Sequence, residues 1–336
     1  MKKQLIAAAV ATSVSAIAMA DVSITGGMKA NYTYTDYGTT STADNNQFKH
    51  ETDLSIKGKS GDTDVVINMS VTDATSGSAS GSGSSGVDTT NTIEDVYMTT
   101  NIAGVNVKMG QWDNGNNYLR ASGRNGGKFE GSTNIGGLKV LYGNNNGNNA
   151  EYVTLSGSMS GIDASYKKVD AGDEYKLGTT LGGVKATYHA VNSDTANSDR
   201  TSIELATSVG GVDLMLVKAE AESATCLSGD TWLGDFEDTT NYGCDTTNDA
   251  TYVMELSKGQ DITGIKASTS LAGNTVTFEN VQIDDVASED TTINQIIVTR
   301  PLASGATFEL TYTDLADDSS NDDDYESLDL ELAVKF

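Results

Sequence analysis

The sequence predicts an all-β chain folded into one closed, antiparallel transmembrane β-barrel of 16–18 strands, 18 being the better count. Three observations predict it. Apolar residues recur at every second position in segment after segment, the period of a strand with one apolar and one polar face. Minimal Gly-containing turns alternate with long polar connections, which places short turns at one end of a barrel and long loops at the other. After residue 20 no stretch is apolar for the roughly 20 residues a membrane-spanning helix needs, so strands must do any crossing.

The first element is not part of the fold. Lys2 and Lys3 precede an apolar run from Leu5 to Ala11, and Ala18-Met19-Ala20 stands just before Asp21. Residues 1–20 therefore read as a cleavable signal peptide, and 21–336 as a single barrel domain. The remaining chain is rich in turn formers, with 35 Gly and one Pro in the whole sequence. Ser, Thr, Asn and Asp dominate its polar residues, as in a β chain with many tight turns rather than a helical one.

The strands follow in order. Alternation marks Val65/Ile67/Met69/Val71, Val105/Val107/Met109, Leu138/Val140/Tyr142, Val184/Ala186/Tyr188, Ile203/Leu205/Thr207/Val209 and Phe308/Leu310/Tyr312. The C-terminal run is the cleanest, with Leu328, Leu330, Leu332, Val334 and Phe336 on one face. Two-residue turns are expected at Gly61-Asp62, Ala103-Gly104, Gly136-Gly137, Ser160-Gly161, Gly182-Gly183, Gly210-Gly211, Gly273-Asn274 and Ser304-Gly305, where Gly supplies the positive φ of tight hairpins. Long loops are expected over 37–50, 73–91, 111–127, 144–149, 192–199, 220–250, 284–291 and 315–324, and residues 251–271 read as one long strand. Residues 76–86, built of Ser, Gly and Ala, form a low-complexity loop tip. Tyr32, Tyr34, Tyr97, Tyr142, Tyr166, Tyr175, Tyr188, Tyr252 and Tyr312 fall near strand ends, as an aromatic girdle at the membrane interface would.

If the apolar positions face lipid, the alternate ones face the interior, and these carry charge. They include Lys57, Lys59, Lys108, Lys139, Lys167, Lys176, Lys185 and Lys266 beside Glu130, Asp163, Glu174, Glu204, Asp213, Glu255, Glu279, Glu309, Asp329 and Glu331. Unpaired charges are prohibitive in a dry interior, so the lumen is expected to be wet, with Lys57, Lys59, Lys108, Glu130, Lys139 and Lys185 among its lining. The alternative is a narrow barrel of about eight strands plugged by paired charges, which the strand count opposes.

Charge and cysteines bound the partners. Without Lys2 and Lys3, 19 of the 21 Lys and Arg remain against 47 Asp and Glu, a formal charge of −28. Nucleic acid is excluded as a partner, because phosphate binding needs clustered Lys and Arg. The acidity favours cations at the mouth, while interior lysines favour anions deeper in; the balance predicts a weak cation preference. Cys226 and Cys244 are the only cysteines. In an exported chain they read as a loop disulfide worth roughly 3 kcal/mol in the chain-entropy model, with two free thiols as the alternative.

Two ends and one internal segment carry a resemblance. Residues 328–336, ending in Phe336, resemble the terminal strand of outer-membrane proteins. Asp21-Val22-Ser23-Ile24-Thr25-Gly26-Gly27 looks like the first strand of the Gram-negative trimeric general porins, and residues 101–113, Asn-Ile-Ala-Gly-Val-Asn-Val-Lys-Met-Gly-Gln-Trp-Asp, are similar to the porin segment that climbs the fifth strand into the third loop. The resemblance implies an outer-membrane diffusion channel for ions and small hydrophilic solutes. It also implies a homotrimer, a final Phe336 read by the barrel-assembly machinery, periplasmic short turns and extracellular long loops. It places a pore-narrowing third loop at about 111–128, containing Asp113, Arg120, Arg124 and Lys128. Here that loop is short and carries two of the chain's four arginines in place of the family's acidic cluster.

Other chemistries find less support. His50 and His189 are the only histidines, and no Ser-His pair or phosphate-loop pattern is present in a useful context, so no enzyme activity and no cofactor are expected. Asp284-Asp285 and Asp322-Asp323-Asp324 lie in loops without a calcium-loop pattern, and no metal site is expected. Loops 220–250 and 315–324 could bridge lipopolysaccharide through divalent cations. The alternative from another class is a secreted, acidic surface-layer or adhesin-type β protein without a pore, which leaves the lipid-suited outer face and Phe336 unexplained.

Overall fold

In the computed structural model of the chain, the described residues are 21–37, 45–78, 88–112, 127–145, 151–169, 172–194, 199–221, 225–226, 255–256, 261–284, 290–317 and 324–336. They are strands and tight turns. The first wall is tall: β1 (Asp21–Asp36), β2 (Asn45–Ser60), β3 (Thr63–Ser78) and β4 (Asp88–Ile102). Short strands follow, β5 (Val105–Gln111), β6 (Lys128–Ile135), β7 (Leu138–Asn145), β8 (Glu151–Met159) and β9 (Ile162–Val169). Then come β10 (Gly172–Leu181), β11 (Val184–Ser193), β12 (Arg200–Val209) and β13 (Val212–Ala221). A two-residue ladder, β14 (Thr225–Cys226) on β15 (Glu255–Leu256), stands apart from the main sheet. The circuit ends with β16 (Asp261–Leu271), β17 (Asn274–Asp284), β18 (Thr291–Pro301), β19 (Ala306–Asp317) and β20 (Tyr325–Lys335).

Eighteen of these strands form one closed antiparallel sheet, each pairing with its neighbour in sequence and β1 pairing with both β2 and β20. Closure is completed by Phe336 and Gly26, which exchange both backbone hydrogen bonds at 2.8 and 2.9 Å. A Cβ at Gly26 would sit 2.9 Å from the Phe336 ring and 2.6 Å from the Asp53 carbonyl, so the absent side chain is what lets the terminal aromatic lie against the seam. No sheet edge remains in the barrel, which removes the unpaired backbone groups a lipid environment could not satisfy.

The tight turns are set by residues that tolerate positive φ. At Gly136 and Gly137 φ is 60° and 88°, the double positive φ of the hairpin turn whose twist matches the strands. One expected turn moves: the connection before β17 is Ala272-Gly273, because Asn274 already pairs with Leu271. Another widens, since residues 302–305 all lie in the connection after Pro301, held by Leu302 N–H to Ala306 O and Gly305 N–H to Leu302 O. The loops at 37–50 and 73–91 are shorter than expected, as β2 starts at Asn45 and β3 runs to Ser78. Over 45–50 and 73–78 Phe48 is the one large apolar residue, so no apolar alternation marks them as strand. Of the long strand expected over 251–271, the described residues are Glu255–Leu256, which pair with β14, and β16 from Asp261, which pairs with β13; residues 251–254 and 257–260 lie outside the described residues.

The outer face is apolar and open. Ile24, Ile93, Met109, Leu177, Ile203, Leu214 and Leu332 all stand exposed on it. In water such a continuous apolar belt would drive association; it suits lipid tails. Tyr32, Tyr34, Tyr142, Tyr175, Tyr188 and Tyr312 join it, exposed at 36–41%, and Tyr166 and Tyr175 pack at 5.2 Å between ring centroids. Tyr97 does not join them. A bulge opposite Asn68/Met69 inserts Glu94 as an extra residue in β4, so Ile93 and Val96 point out while Asp95 and Tyr97 point in. Tyr252 lies outside the described residues.

Candidate functional site: the interior wall

Every strand that turns an apolar row outward turns its alternate row inward, so the interior wall follows from the same period-two pattern. Polar contacts cross it from strand to strand. Ser55 donates to Asn68 and Asn68 to Asp95, each at 2.7 Å. On the next strands the Lys108 ammonium sits between two rings, 4.0 Å from the Tyr97 centroid and 4.2 Å from that of Trp112, an arrangement worth about 1–2 kcal/mol where water is excluded. Lys108 stands directly across from Glu130 in the β5–β6 register. The bulge at Glu94 is what delivers Tyr97 to this contact.

Lys128 is buried at the start of β6 and donates to the Trp112 carbonyl, so it ties together the two ends of the connection over 113–127. Of the four residues expected in the third loop, Lys128 thus stands at its base. Asp113, Arg120 and Arg124 lie outside the described residues, as do Cys244 and the Cys226 side chain.

Tyr152 crosses Gly143 to donate its hydroxyl to Glu130. A Cβ at Gly143 would lie 1.9 Å from Tyr152 Cζ, so a glycine here is the seat of the tyrosine. Gly143→Val is expected to expel the ring and lower unfolding stability by about 1–3 kcal/mol. An unchanged urea midpoint and tyrosine near-ultraviolet signal would refute that.

Further round, Glu174 accepts from Lys167 Nζ at 3.2 Å and lies 3.2 Å from His189 Nε2, with His189 itself fully enclosed. Nearer the short turns, Lys139, Lys176 and Lys185 share a recess of about 600 Å³ with Ser156, Ser158, Ser165, Thr187 and Asp163. Asp163 accepts from Ser158. The three lysines are exposed and have no ion-pair partner among the described residues. Lys57 and Lys59 are likewise exposed on the interior side of β2.

The opposite side of the ring is acidic. β20 stands nine strands from β9, half-way round the ring of eighteen, and its Glu331 faces Glu309 of β19 across the β19–β20 register. Thr299 donates to Glu309 at 2.7 Å, Asn31 to Glu331 at 3.2 Å and Thr33 to Asp329. Cations and carboxylates thus alternate around the interior wall, Asp163 and Glu174 standing among the lysines on one side and Lys57 and Lys59 on β2 near the Glu309–Glu331 pair on the other. Among the described residues no group of three or more His, Cys, Asp or Glu is gathered as metal ligands would be.

Comparison with known proteins places the architecture. No protein-family model matches the chain, and no curated protein sequence matches it. Solved structures do. Pseudomonas aeruginosa OccK9 (OpdG) superposes with a TM-score of 0.64 at 12% identity, over 95% of this chain and 99% of that one. Pseudomonas aeruginosa OccK7 (OpdD) gives 0.62 at 12%, over 94% and 99%. A BenF-like porin from Pseudomonas fluorescens Pf-5 gives 0.63 at 11%, over 94% and 98%. The chain shares their fold along its whole barrel.

Proposed function

We propose that this protein is an outer-membrane channel of porin type, passing ions and small hydrophilic solutes by passive diffusion with a weak cation preference. One observation carries the reading: an 18-stranded ring whose outer face is apolar bears exposed, unneutralised cations such as Lys139, Lys176 and Lys185 on its inner face. Side chains alone do not fill a ring of that size, and exposed ammonium groups require water. The fold shared with a BenF-like porin supports it. Interior charges of the two signs are nearly balanced around the ring, which keeps selectivity weak, while the −28 of the chain after residue 20 biases the mouth toward cations.

The same reading assigns residues 1–20 as the export signal, Phe336 as the group recognised by the assembly machinery, residues 111–128 as a narrowing loop, and Cys226–Cys244 as a loop disulfide. It places the acidic loops against lipopolysaccharide. A homotrimer is supported by strand length. β5 to β9 have seven to nine residues, which tilted strands convert to roughly 20 Å of height against an apolar band of about 25 Å. A wall too low for the bilayer is relieved by facing other copies rather than lipid.

The test is single-channel recording of the refolded protein in a planar bilayer under a salt gradient. Stepwise openings with a reversal potential slightly on the cation side are expected. A folded barrel that yields no openings would overturn the reading. Lys139→Glu/Lys176→Glu/Lys185→Glu together should move the reversal potential several-fold further toward ideal cation selectivity; an unmoved potential would remove this wall from the ion path.

A further inference from the structure

At the short-turn end the barrel finishes in two different ways. The turn between β2 and β3 is Gly61-Asp62, preceded by Ser60, as suits a turn in water. The six two-residue turns from Ala103-Gly104, after β4, to Ala272-Gly273, after β16, contain only Gly, Ala and Ser. Directly before them stand Ile102, Ile135, Met159, Leu181, Val209 and Leu271, exposed from 59% to 79%, so large aliphatic side chains reach the very rim of the outer wall. The charges beside these turns, Lys139, Asp163, Lys185 and Asp213, belong to the interior row, where Ser158 and Ser208 donate to the two aspartates.

Four of these turns also have a hydrogen-bond partner of their own. Thr133 Oγ1 donates to the Gly104 carbonyl at 3.2 Å, Thr179 to Gly161 at 3.1 Å, Thr207 to Gly183 at 3.2 Å and Thr269 to Gly211 at 3.0 Å. Each threonine lies on the outer face of the strand that follows the hairpin. In water a turn carbonyl is solvated and needs no such donor; away from water an unsatisfied carbonyl is costly.

At the loop end the same outer row turns polar. Lys218 Nζ lies 2.8 Å from Glu220 and 3.7 Å from Asp261, Lys168 Nζ lies 3.4 Å from Asp173, and Asn280 donates to Asn294 at 2.8 Å. Behind that edge the inner row is apolar instead, Val217, Ala219, Ile262, Val281, Ile293 and Leu315 forming one buried cluster. From β4 to β17 the described residues of the outer row show no charged collar at the turn end. From Leu181 back to Asp173 the outer side of β10 spans eight residues, roughly 20 Å on a tilted strand against an apolar band of about 25 Å. Lipid that reaches up to Asp173 therefore also reaches down past Leu181 to the turn.

We propose that the rim formed by these six turns is a lipid-binding surface, immersed in the acyl–glycerol boundary of the leaflet on the turn side. The threonine hydroxyls take the place of water on the turn carbonyls, and Gly61-Asp62 alone of the two-residue turns stands in water. Phospholipid chains are the occupant because the rim continues the apolar belt without a break. The immersion rests on the membrane reading of that belt and not on conduction. It holds whether or not other copies cover β5 to β9, since Leu181, Val209 and Leu271 lie beyond those strands.

A single tryptophan reports the surroundings of the rim: Leu181→Trp, Leu271→Trp and, for contrast, Ser60→Trp, each in the chain with Trp112→Phe and Trp232→Phe, the only natural tryptophans. In vesicles of phosphatidylcholine brominated on its acyl chains, Leu181→Trp and Leu271→Trp should lose most of their emission and be quenched by aqueous iodide several-fold less than Ser60→Trp. Iodide quenching equal to that of Ser60→Trp overturns the immersion, and shielding from both quenchers overturns it in favour of a second copy on the rim. Should the single-tryptophan chains fail to fold, the charge is moved instead in the otherwise unchanged chain. Leu181→Asp should fold into vesicles several-fold less than Leu181→Asn, while Ser60→Asp folds as well as Ser60→Asn. Equal yields for Leu181→Asp and Leu181→Asn overturn the immersion. A chain that enters no vesicle sinks the membrane reading and the immersion together; an immersed rim on a barrel that conducts no ions sinks the channel reading alone.

Discussion

Gly110→Ala is expected to cost roughly 3 kcal/mol of barrel stability and to disrupt the cation–aromatic contact of Lys108. Gly110 has φ of 140°, a backbone region that L-residues rarely occupy. A Cβ there would lie 2.2 Å from the Val96 carbonyl oxygen and 2.6 Å from Tyr97 Cα, contacts with main chain that no rotamer relieves. β5 must therefore draw away from β4 where the bulged strand turns Asp95 and Tyr97 inward. Tyr97 and Trp112, whose rings cross at 6.1 Å and 71°, would part, and Lys108 would lose its sandwich. Gly127→Ala is the control, since Gly127 has ordinary φ and nothing within 4 Å of the position; it should stay within about 0.5 kcal/mol of the parent. Urea unfolding of both variants, followed by tryptophan emission, decides the matter. Equal midpoints for the two would show that the β4–β5 seam yields without cost.

That seam also shows where the sequence is readable and where it is not. The closed antiparallel barrel and its best count of 18 were legible because two periodic signals, alternation and Gly turns, repeat around the ring and reinforce each other. Interior placement of Lys139 and Lys185 followed from parity alone. Parity fails at a bulge: one extra residue, Glu94, reverses every assignment after it on β4, so Tyr97 reads as a girdle tyrosine while it lies against Lys108. No composition signal marks that insertion. Loop ends fail for a different reason, because β2 and β3 extend into stretches whose one large apolar residue is Phe48, and only pairing such as Asn45 with Ser78 reveals strand there. The interior pairs are hidden by distance: Asn31 and Glu331 meet only because the first and last strands close the ring. One signal was present and unused. Reading the inner and outer rows together along β13 and β16–β20 would have shown their polarity crossing over near Val217 and Lys218.

Lys266→Met is expected to destabilise the barrel by about 3–5 kcal/mol, the largest loss for any single side chain on the interior wall of β16–β18. Lys266 Nζ lies 2.6 Å from Glu279 Oε1, and the Glu279 side chain is only 4% exposed. The carboxylate is enclosed beside Thr277 and Gln295, both nearly buried, so removal of the ammonium leaves a charge that water cannot reach. Glu279→Gln removes the same charge from the other side, and the double variant Lys266→Met/Glu279→Gln should recover most of the loss, because a neutral pair leaves no buried ion. The pair on the outer surface gives the contrast. Lys218 and Glu220 are each 54% exposed at 2.8 Å, and Lys218→Met should cost less than about 1 kcal/mol. The four chains unfolded in urea at low and high salt complete the comparison: the Lys266–Glu279 coupling should persist at high salt while that of Lys218 fades. A Lys266–Glu279 coupling energy near zero would mean that solvent inside the barrel reaches this carboxylate after all, and would extend the wet lumen up to the foot of the apolar core.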